Sequence, residues 1–164
     1  PYNNPYTTAQ VLLNSLPTEV TTVEVRYPTV QYLDRSGGGV NFNIQKGMGI
    51  VLYVVGGSIN PIFSGSHDPD FAFNLTNPSG TTDYLISLPY NSTYIDAQAI
   101  LNSINGGSVP GPCIRIRRLV PATQTYQTRY WNSAWFGTNF TFVPGEAYEI
   151  RIQSNVSNWK PSVY

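Results

Sequence analysis

The sequence predicts a mainly β protein, built as two tandem small β-sandwich-like or barrel-like domains, each with one short α-helix. Three observations predict this fold class. Residues 1–15 align without a gap with residues 89–103, so the opening of the chain recurs at a constant offset of 88. Each copy contains one apolar stripe at helical spacing, and the segments that follow alternate apolar and polar residues. A repeat longer than about 50 residues indicates tandem domains rather than one turn of a solenoid.

Each copy begins with a short amphipathic helix, which we predict over residues 7–16 in the first copy. Its apolar residues recur at positions i, i+3, i+4 and i+7, which form one face of a helix. Thr8 and Asp96 are the predicted N-caps, and Pro17 and Gly106–Gly107 end the two helices. The stripe consists of Ala9, Leu12, Leu13 and Leu16 in the first copy and of Ala97, Ile100, Leu101 and Ile104 in the second.

A half-exposed strand follows each helix. Val23, Val25 and Tyr27 alternate with polar residues in the first copy, and Ile114 and Ile116 alternate with arginines in the second. A period of two with one polar face is typical of antiparallel strands. The arginines have two open interpretations: a basic ladder that grips an anion or a carboxylated glycan, or the solvated face of the strand. They are Arg115, Arg117 and Arg118.

A third block is shared at a larger offset. Residues 39–47 align with 137–145, and because the offset is 98 instead of 88, the second copy has ten more residues before this block. A strand is predicted after the block in each copy, at 50–55 and at 147–152. Residues 50–55 are apolar throughout, so we expect a strand covered on both faces and a first copy that lies deeper in the assembly.

The segment between the copies sets the domain boundaries. It contains two candidate strands, at 71–75 and 84–88, and the second leads directly into the repeated text. The first copy has no such lead-in. We therefore predict a first domain at 1–63 that lacks its leading strands, and a complete second domain at 64–164.

Composition limits the classes of function. Charged residues make up 11% of the chain and the formal net charge is zero, whereas charged residues are typically about a quarter of a soluble domain. Hydroxyl and amide side chains take their place, which favours an extracellular or cell-surface protein. The sequence has no concentrated basic face, so we expect no binding of nucleic acid.

The chain carries one cysteine, Cys113, so no disulfide forms within it. Three states remain open for its thiol: a small buried side chain, a free thiol, or a bond to another chain. The sequence has no initiator Met, no signal peptide and no apolar run long enough for a membrane helix. We expect a processed form or a piece of a longer protein, without a membrane span.

No motif indicates a reaction centre, so we expect no enzymatic activity. His67 is the only histidine, and Gly37–Gly39 lacks the lysine and helix of a phosphate-binding loop. Asp68 and Asp70 could bind calcium through their carboxylates or form an ordinary Asp-Pro turn. Apart from that calcium, no cofactor is expected. Four sequons are compatible with glycosylation, at Asn74, Asn91, Asn139 and Asn155.

An aromatic insert distinguishes the second copy. If its side chains are exposed together, they would stack on sugar rings or enter a partner's pocket. If they are buried, they would cover a small core. The insert contains Tyr130, Trp131, Trp135 and Phe136.

Three stretches of the second copy resemble a repeat module of secreted microbial surface proteins. They are Leu-Ile-Ser-Leu-Pro-Tyr-Asn at 85–91, Gly-Thr-Asn-Phe at 137–140 and Pro-Gly-Glu-Ala-Tyr at 144–148. The resemblance covers 64–164, and it covers 1–63 without the opening strands. The first copy departs from it at 46–49, where Lys-Gly-Met-Gly replaces Pro-Gly-Glu. It implies an extracellular β-rich module and no catalytic residue.

The missing lead-in strands favour a non-enzymatic structural subunit that assembles into a homo-oligomer, filament or surface layer. An open sheet edge is commonly completed by a strand of another chain. We expect the donor to be the C-terminal segment or residues 71–75 of a neighbour. The alternative is a carbohydrate-binding or adhesive module that uses the Trp131 and Trp135 insert. The predicted assembly residues are Pro1, Tyr2, Phe71, Phe73, Trp159, Val163 and Tyr164.

Overall fold

The computed structural model describes residues 5–26, 29–57, 59, 68, 70–78 and 80–164. It is mainly β, with 41% strand, 10% helix, two short helices and three antiparallel sheets. The predicted fold class is therefore confirmed. In chain order the elements are α1 (Ala9–Ser15), β1 (Val20–Arg26), β2 (Val30–Asp34), β3 (Val51–Val54), β4 (Phe73–Leu75), β5 (Thr82–Ser87), α2 (Ala97–Ile104), β6 (Cys113–Val120), β7 (Thr125–Trp131), β8 (Trp135–Gly137), β9 (Ala147–Ile152) and β10 (Val156–Trp159).

Each copy builds a sheet around the strand that follows its helix. In the first copy β1 lies between β2 and β3, and in the second copy β6 lies between β7 and β9. The second sheet has two further strands, because β5 pairs with the other edge of β9 and β8 with the other edge of β7. β4 and β10 form a separate two-stranded sheet. The pairing is antiparallel throughout, as the alternation predicted.

Both helices face a hydrophobic cluster of their own copy. Leu12 and Leu13 of α1 are each 1% exposed, and Ile100 and Leu101 of α2 are fully buried, so the predicted stripes are confirmed. Among the described residues the second cluster contains 19 buried side chains and the first contains nine. The difference arises largely because β4, β5 and β10 contribute side chains to the second cluster.

The shared Gly-x-Asn-Phe block caps both helices. The first N–H groups of a helix have no partner within it and need other acceptors. In both copies the Asn side chain and the Phe carbonyl of the block supply two of them, and the predicted N-cap supplies the third. The acceptors are Phe42 O, Asn41 Oδ1 and Thr8 Oγ1 for Ala9, Gln10 and Val11, and Phe140 O, Asn139 Oδ1 and Asp96 Oδ1 for Ala97, Gln98 and Ala99.

The central strands β1 and β6 share an irregularity at their start. The register shifts between Val20 and Thr22 in β1, and between Cys113 and Arg115 in β6. A β-bulge adds one residue and changes which side chains face inward. As a result Cys113 and Ile116 are fully buried, while Ile114 is only partly buried. The prediction that Ile114 and Ile116 share the buried face of this strand was therefore wrong.

β3 is not covered on both faces. Val51, Leu52 and Val54 are partly exposed, and Tyr53 is 43% exposed. The prediction that this strand is covered on both faces was therefore wrong for the single chain, because an apolar composition does not bury a strand that lies at a sheet edge. In β9, by contrast, the three consecutive residues Tyr148, Glu149 and Ile150 are all buried.

The two copies are joined along β5. Gly49 N–H donates to the Leu85 carbonyl at 3.1 Å, and Ser87 N–H donates to the Gly47 carbonyl at 2.8 Å. Met48 forms a bridge with Ile86 between these two bonds. β5 therefore lies between its own strand β9 and residues 47–49 of the first copy.

Neither of the helices in the described ranges has the length and apolar character that crossing a membrane requires.

Candidate functional site

β3 and β9 occupy equivalent places in the two copies. Val54 pairs with Val20 across the bulge of β1, just as Ile152 pairs with Cys113 across the bulge of β6. Two positions earlier, Leu52 pairs with Val23 in the same way as Ile150 pairs with Ile116. The two strands can therefore be compared position by position, at an offset of 98.

The comparison shows a difference in burial at three inward-facing positions. In β9 the side chains of Tyr148, Ile150 and Ile152 are 0% exposed, because β5 lies along the far side of this strand. The equivalents in the first copy pack against the first cluster but remain partly exposed; they are Ile50, Leu52 and Val54. Full burial of such a side chain contributes about 1.5–3 kcal/mol, so part of that stabilisation is missing at β3.

The far edge of β3 is unpaired among the described residues. β3 pairs with β1 on one side, and no other strand in the described ranges pairs with it. Natural edge strands commonly carry a charged side chain or a proline that prevents pairing with another chain. Residues 50–55 contain neither. This edge, which we call the β3 edge and define as residues 50–55, can form main-chain hydrogen bonds with an added strand.

The predicted donor segments already pair within the chain. β4 lies antiparallel to β10, with Phe73 opposite Trp159. Their rings stack with centroids 5.0 Å apart, and Phe71 meets Phe73 edge-on at 4.7 Å. Trp159 Nε1 donates to Ser103 Oγ at 3.0 Å, and the Trp159 side chain is buried. To act as donors to another chain, these segments would have to leave the second core.

The C-terminal residues lie along the start of the second copy. Val163 bridges Ser92, and the Thr93 N–H donates to the Ser162 carbonyl. Tyr164 is 85% exposed, and its main chain is held by Asn91. Of the predicted assembly residues that the structure describes, Tyr164 is the most exposed. Pro1 and Tyr2 lie outside the described residues.

The arginines of β6 form ion pairs at the junction of the two copies. Arg115 Nη2 lies 2.9 Å from Glu149 Oε1, and Arg117 Nη2 lies 2.7 Å from the same oxygen. Arg26 of the first copy approaches Glu149 Oε2 at 3.7 Å. Arg118 lies on the other face, 3.1 Å from Glu146. These side chains are partly buried and paired, so both earlier interpretations, a solvated face and a free anion-binding ladder, were wrong.

Asp83 completes this junction. It accepts hydrogen bonds from both Arg151 Nε at 2.8 Å and Arg115 Nη2 at 2.9 Å. Burial acts to raise the pKa of the Asp83 carboxyl, but the hydrogen bond from Arg151 and the nearby arginine charges outweigh it and lower the pKa. A cleft of about 260 Å³ opens beside this network. It lies between the two copies, because Arg26 of the first copy and Asp83, Arg117 and Glu149 of the second copy all line it.

The aromatic insert forms two pairs on opposite faces of the β7–β8 hairpin. Tyr130 stacks on Phe136 at 6.0 Å, and both are exposed, at 40% and 46%. Trp131 and Trp135 meet edge-on at 5.3 Å, and Trp135 packs against the second cluster. The four rings therefore do not form one platform. Carbohydrate binding stays a prediction, and Tyr130 with Phe136 is the pair that is placed to stack on a sugar ring.

The four sequon asparagines have exposed or partly exposed side chains, and all four take part in hydrogen bonds. Asn139 is engaged at both ends, because its Oδ1 caps α2 and its Nδ2 donates to Asp96. Asn91 Nδ2 donates to the Tyr164 carbonyl. Asn74 and Asn155 each accept a main-chain N–H through Oδ1, so the two Nδ2 atoms that glycosylation would use are not held by these bonds. Glycosylation stays a prediction.

The predicted calcium ligands face lysines. Asp68 Oδ2 lies 2.8 Å from Lys46 Nζ, and Asp70 Oδ1 lies 3.5 Å from Lys160 Nζ. Asp68 Oδ1 also accepts the Asp70 N–H, as in a turn. No group of three or more candidate ligands occurs in the part of the chain that the structure describes. His67 lies outside that part.

Cys113 is a buried core side chain. It is 0% exposed, and burial raises the pKa of its thiol to about 12. A bond to another chain would require the second core to open.

Sequence reasoning missed the partial exposure of β3. Residues 50–55 were expected to be buried, although their alignment with β9 was visible. Position-by-position comparison of the copies would have found Ile50, Leu52 and Val54.

No protein-family model, no curated protein and no solved structure matches the chain.

Proposed function

We propose that this protein is a non-enzymatic structural module of an extracellular assembly, and that neighbouring chains join by adding a β-strand at the β3 edge. One observation carries the proposal. At equivalent positions, Leu52 is partly exposed where Ile150 is fully buried, and the second copy owes that burial to β5. An added strand would supply the same cover to the first copy.

We expect the proposed assembly to be open. An acceptor on one surface and a donor on another form a heterologous contact, which repeats head to tail and produces a filament unless it closes into a ring. The low content of charge supports an extracellular location, since hydroxyls and amides take the place of charged side chains on such a surface.

A pair of matched substitutions tests this function. Tyr53 of β3 pairs with Thr22 of β1, and its hydroxyl donates to Glu24 Oε2 at 3.0 Å. Tyr32 of β2 pairs with Glu24, and the two tyrosines, Tyr53 and Tyr32, are 43% and 47% exposed. Tyr53→Lys places a charge on the open edge, so we expect it to abolish concentration-dependent assembly, measured by light scattering and negative-stain microscopy. Tyr32→Lys adds the same charge elsewhere and should assemble normally.

Two results would overturn the proposal. One is an unsubstituted chain that stays monomeric at every accessible concentration. The other is an equal effect of the two substitutions, because a charge that acts through solubility alone would not distinguish β3 from β2. Circular dichroism of both variants establishes that each remains folded.

A further inference from the structure

We infer that the strand which completes the first sheet belongs to a neighbouring chain, has the side-chain pattern of β5 without being the already paired β5 itself, and runs antiparallel to β3 in the register of β5 on β9. This inference rests on the proposed function, and it names the partner of the β3 edge. The occupant is identified from the second copy of the same module, in which the equivalent position is filled.

The chemistry of the donor follows from what β5 supplies to β9. Tyr84 lies opposite Ile150 and Ile86 lies opposite Tyr148, and all four of these side chains face the second core with 2% exposure or less. The donor therefore carries large apolar residues at two alternate positions. Between them it carries residues that face away from the core, as Asp83 and Leu85 of β5 do.

The register expected on β3 follows from the β5–β9 pairs when 98 is subtracted from each residue number in β9. The position of Tyr84 falls opposite Leu52, and the position of Ile86 falls opposite Ile50. On the other face, the position of Asp83 falls opposite Tyr53, because Asp83 pairs with Arg151 in the second copy. The position of Leu85 likewise falls opposite Val51, since Leu85 pairs with Glu149.

The neighbours of β3 are compatible with such a strand. Ile50, Leu52 and Val54 already pack on the first cluster, so the donor's apolar side chains would extend an existing core. The outward positions of β3 are Val51 and Tyr53, which carry no charge that would repel the donor. A β3 edge paired with the β3 edge of a second copy would instead give a symmetric contact that closes at two chains.

Directed disulfide formation tests both the occupant and its direction. The probe is a synthetic peptide of residues 80–91 carrying either Asp83→Cys or Leu85→Cys, added to monomeric chain carrying Tyr53→Cys or Val51→Cys. The native Cys113 does not interfere, because it is fully buried. An antiparallel strand in the stated register should link position 83 to 53 and position 85 to 51. The exchanged combinations should link several-fold more slowly.

Tyr32→Cys on β2 is the control, and neither peptide should label it faster than it labels a small thiol. A parallel donor would favour the exchanged combinations and would overturn the inference. So would equal labelling at 53 and 32, or no labelling at 53 and 51.

The two proposals fail in different ways. If assembly requires an uncharged β3 edge but the peptides neither label it nor compete with assembly, the function stands and the β5-type donor is wrong. If the peptides label the edge in the stated register but the chain never assembles, the strand chemistry is right and the proposed self-assembly is wrong.

Discussion

At the scale of single residues, the fold depends on a glycine that lets two segments of the chain pack closely and on polar side chains that accept hydrogen bonds from the first N–H groups of each helix. The sequence predicted Thr8 and Asp96 as N-caps, because capping is a local pattern. It did not predict that Asn41 and Asn139 cap the same helices, because those bonds span 31 and 41 residues. The repeated Gly-x-Asn-Phe block signalled that the residues matter, but the contact is tertiary.

Gly49 is a point of close approach between the two copies along β5. A Cβ there would lie 2.7 Å from Leu85 Cγ and 3.0 Å from Ala147 Cβ. We expect Gly49→Ala to destabilise the chain by about 1–3 kcal/mol, as overpacking of a filled contact does. Denaturant unfolding measures this change.

Gly57→Ala is the matched control, since a Cβ at Gly57 meets no atom within 4 Å. Equal stability of the two alanine variants would show that the copies do not press together at Gly49.

At the scale of elements, the sequence pattern predicted whether a segment forms a helix or a strand better than it predicted how deeply that segment is buried. The stripes of α1 and α2 and the alternation in β1 and β9 were sufficient to identify helices and strands. The bulge at the start of β6 was not visible, because one inserted residue leaves the local composition unchanged. The burial of β3 was predicted wrongly for a related reason, since burial depends on which strand lies alongside.

The Arg–Asp contacts between β5, β6 and β9 predict a dependence of stability on pH. The pKa of Asp83 in the folded chain lies below its ordinary value of 3.8. A lowered carboxyl pKa contributes stability that is present above the ordinary value and is lost as pH falls through the folded value. We therefore expect the free energy of unfolding to fall below about pH 4, in part through Asp83.

Asp83→Asn should flatten this acid limb while lowering stability at neutral pH, as measured by denaturant unfolding across the range. An acid limb of unchanged slope in the variant would show that the Asp83 ion pairs do not contribute to the dependence of stability on pH.

At the scale of the whole molecule, two similar segments each build a helix and a sheet, and the equivalent strands β3 and β9 differ in how far they are covered. The repeat was readable from the sequence. Two features were not, because they join distant segments: β4 pairs with β10, and residues 47–49 of the first copy cover the free edge of β5. With the free edge of β5 covered by the second of these contacts, β2, β3 and β8 are the outer strands of the larger sheets in the described ranges. Of these, the β3 edge is the one whose inward side chains align with fully buried ones in the other copy.

Hydrogen–deuterium exchange of β3 as a function of chain concentration tests this account most directly. In dilute chain, the amides of 51–54 should exchange faster than those of 149–152, because only β9 is paired on both sides. On assembly their protection should rise toward that of β9, while the amides of 30–34 in β2 stay unchanged. Two results would contradict the account. One is protection of the 51–54 amides equal to that of β9 in dilute chain, and the other is no gain of protection at 51–54 in the assembled state.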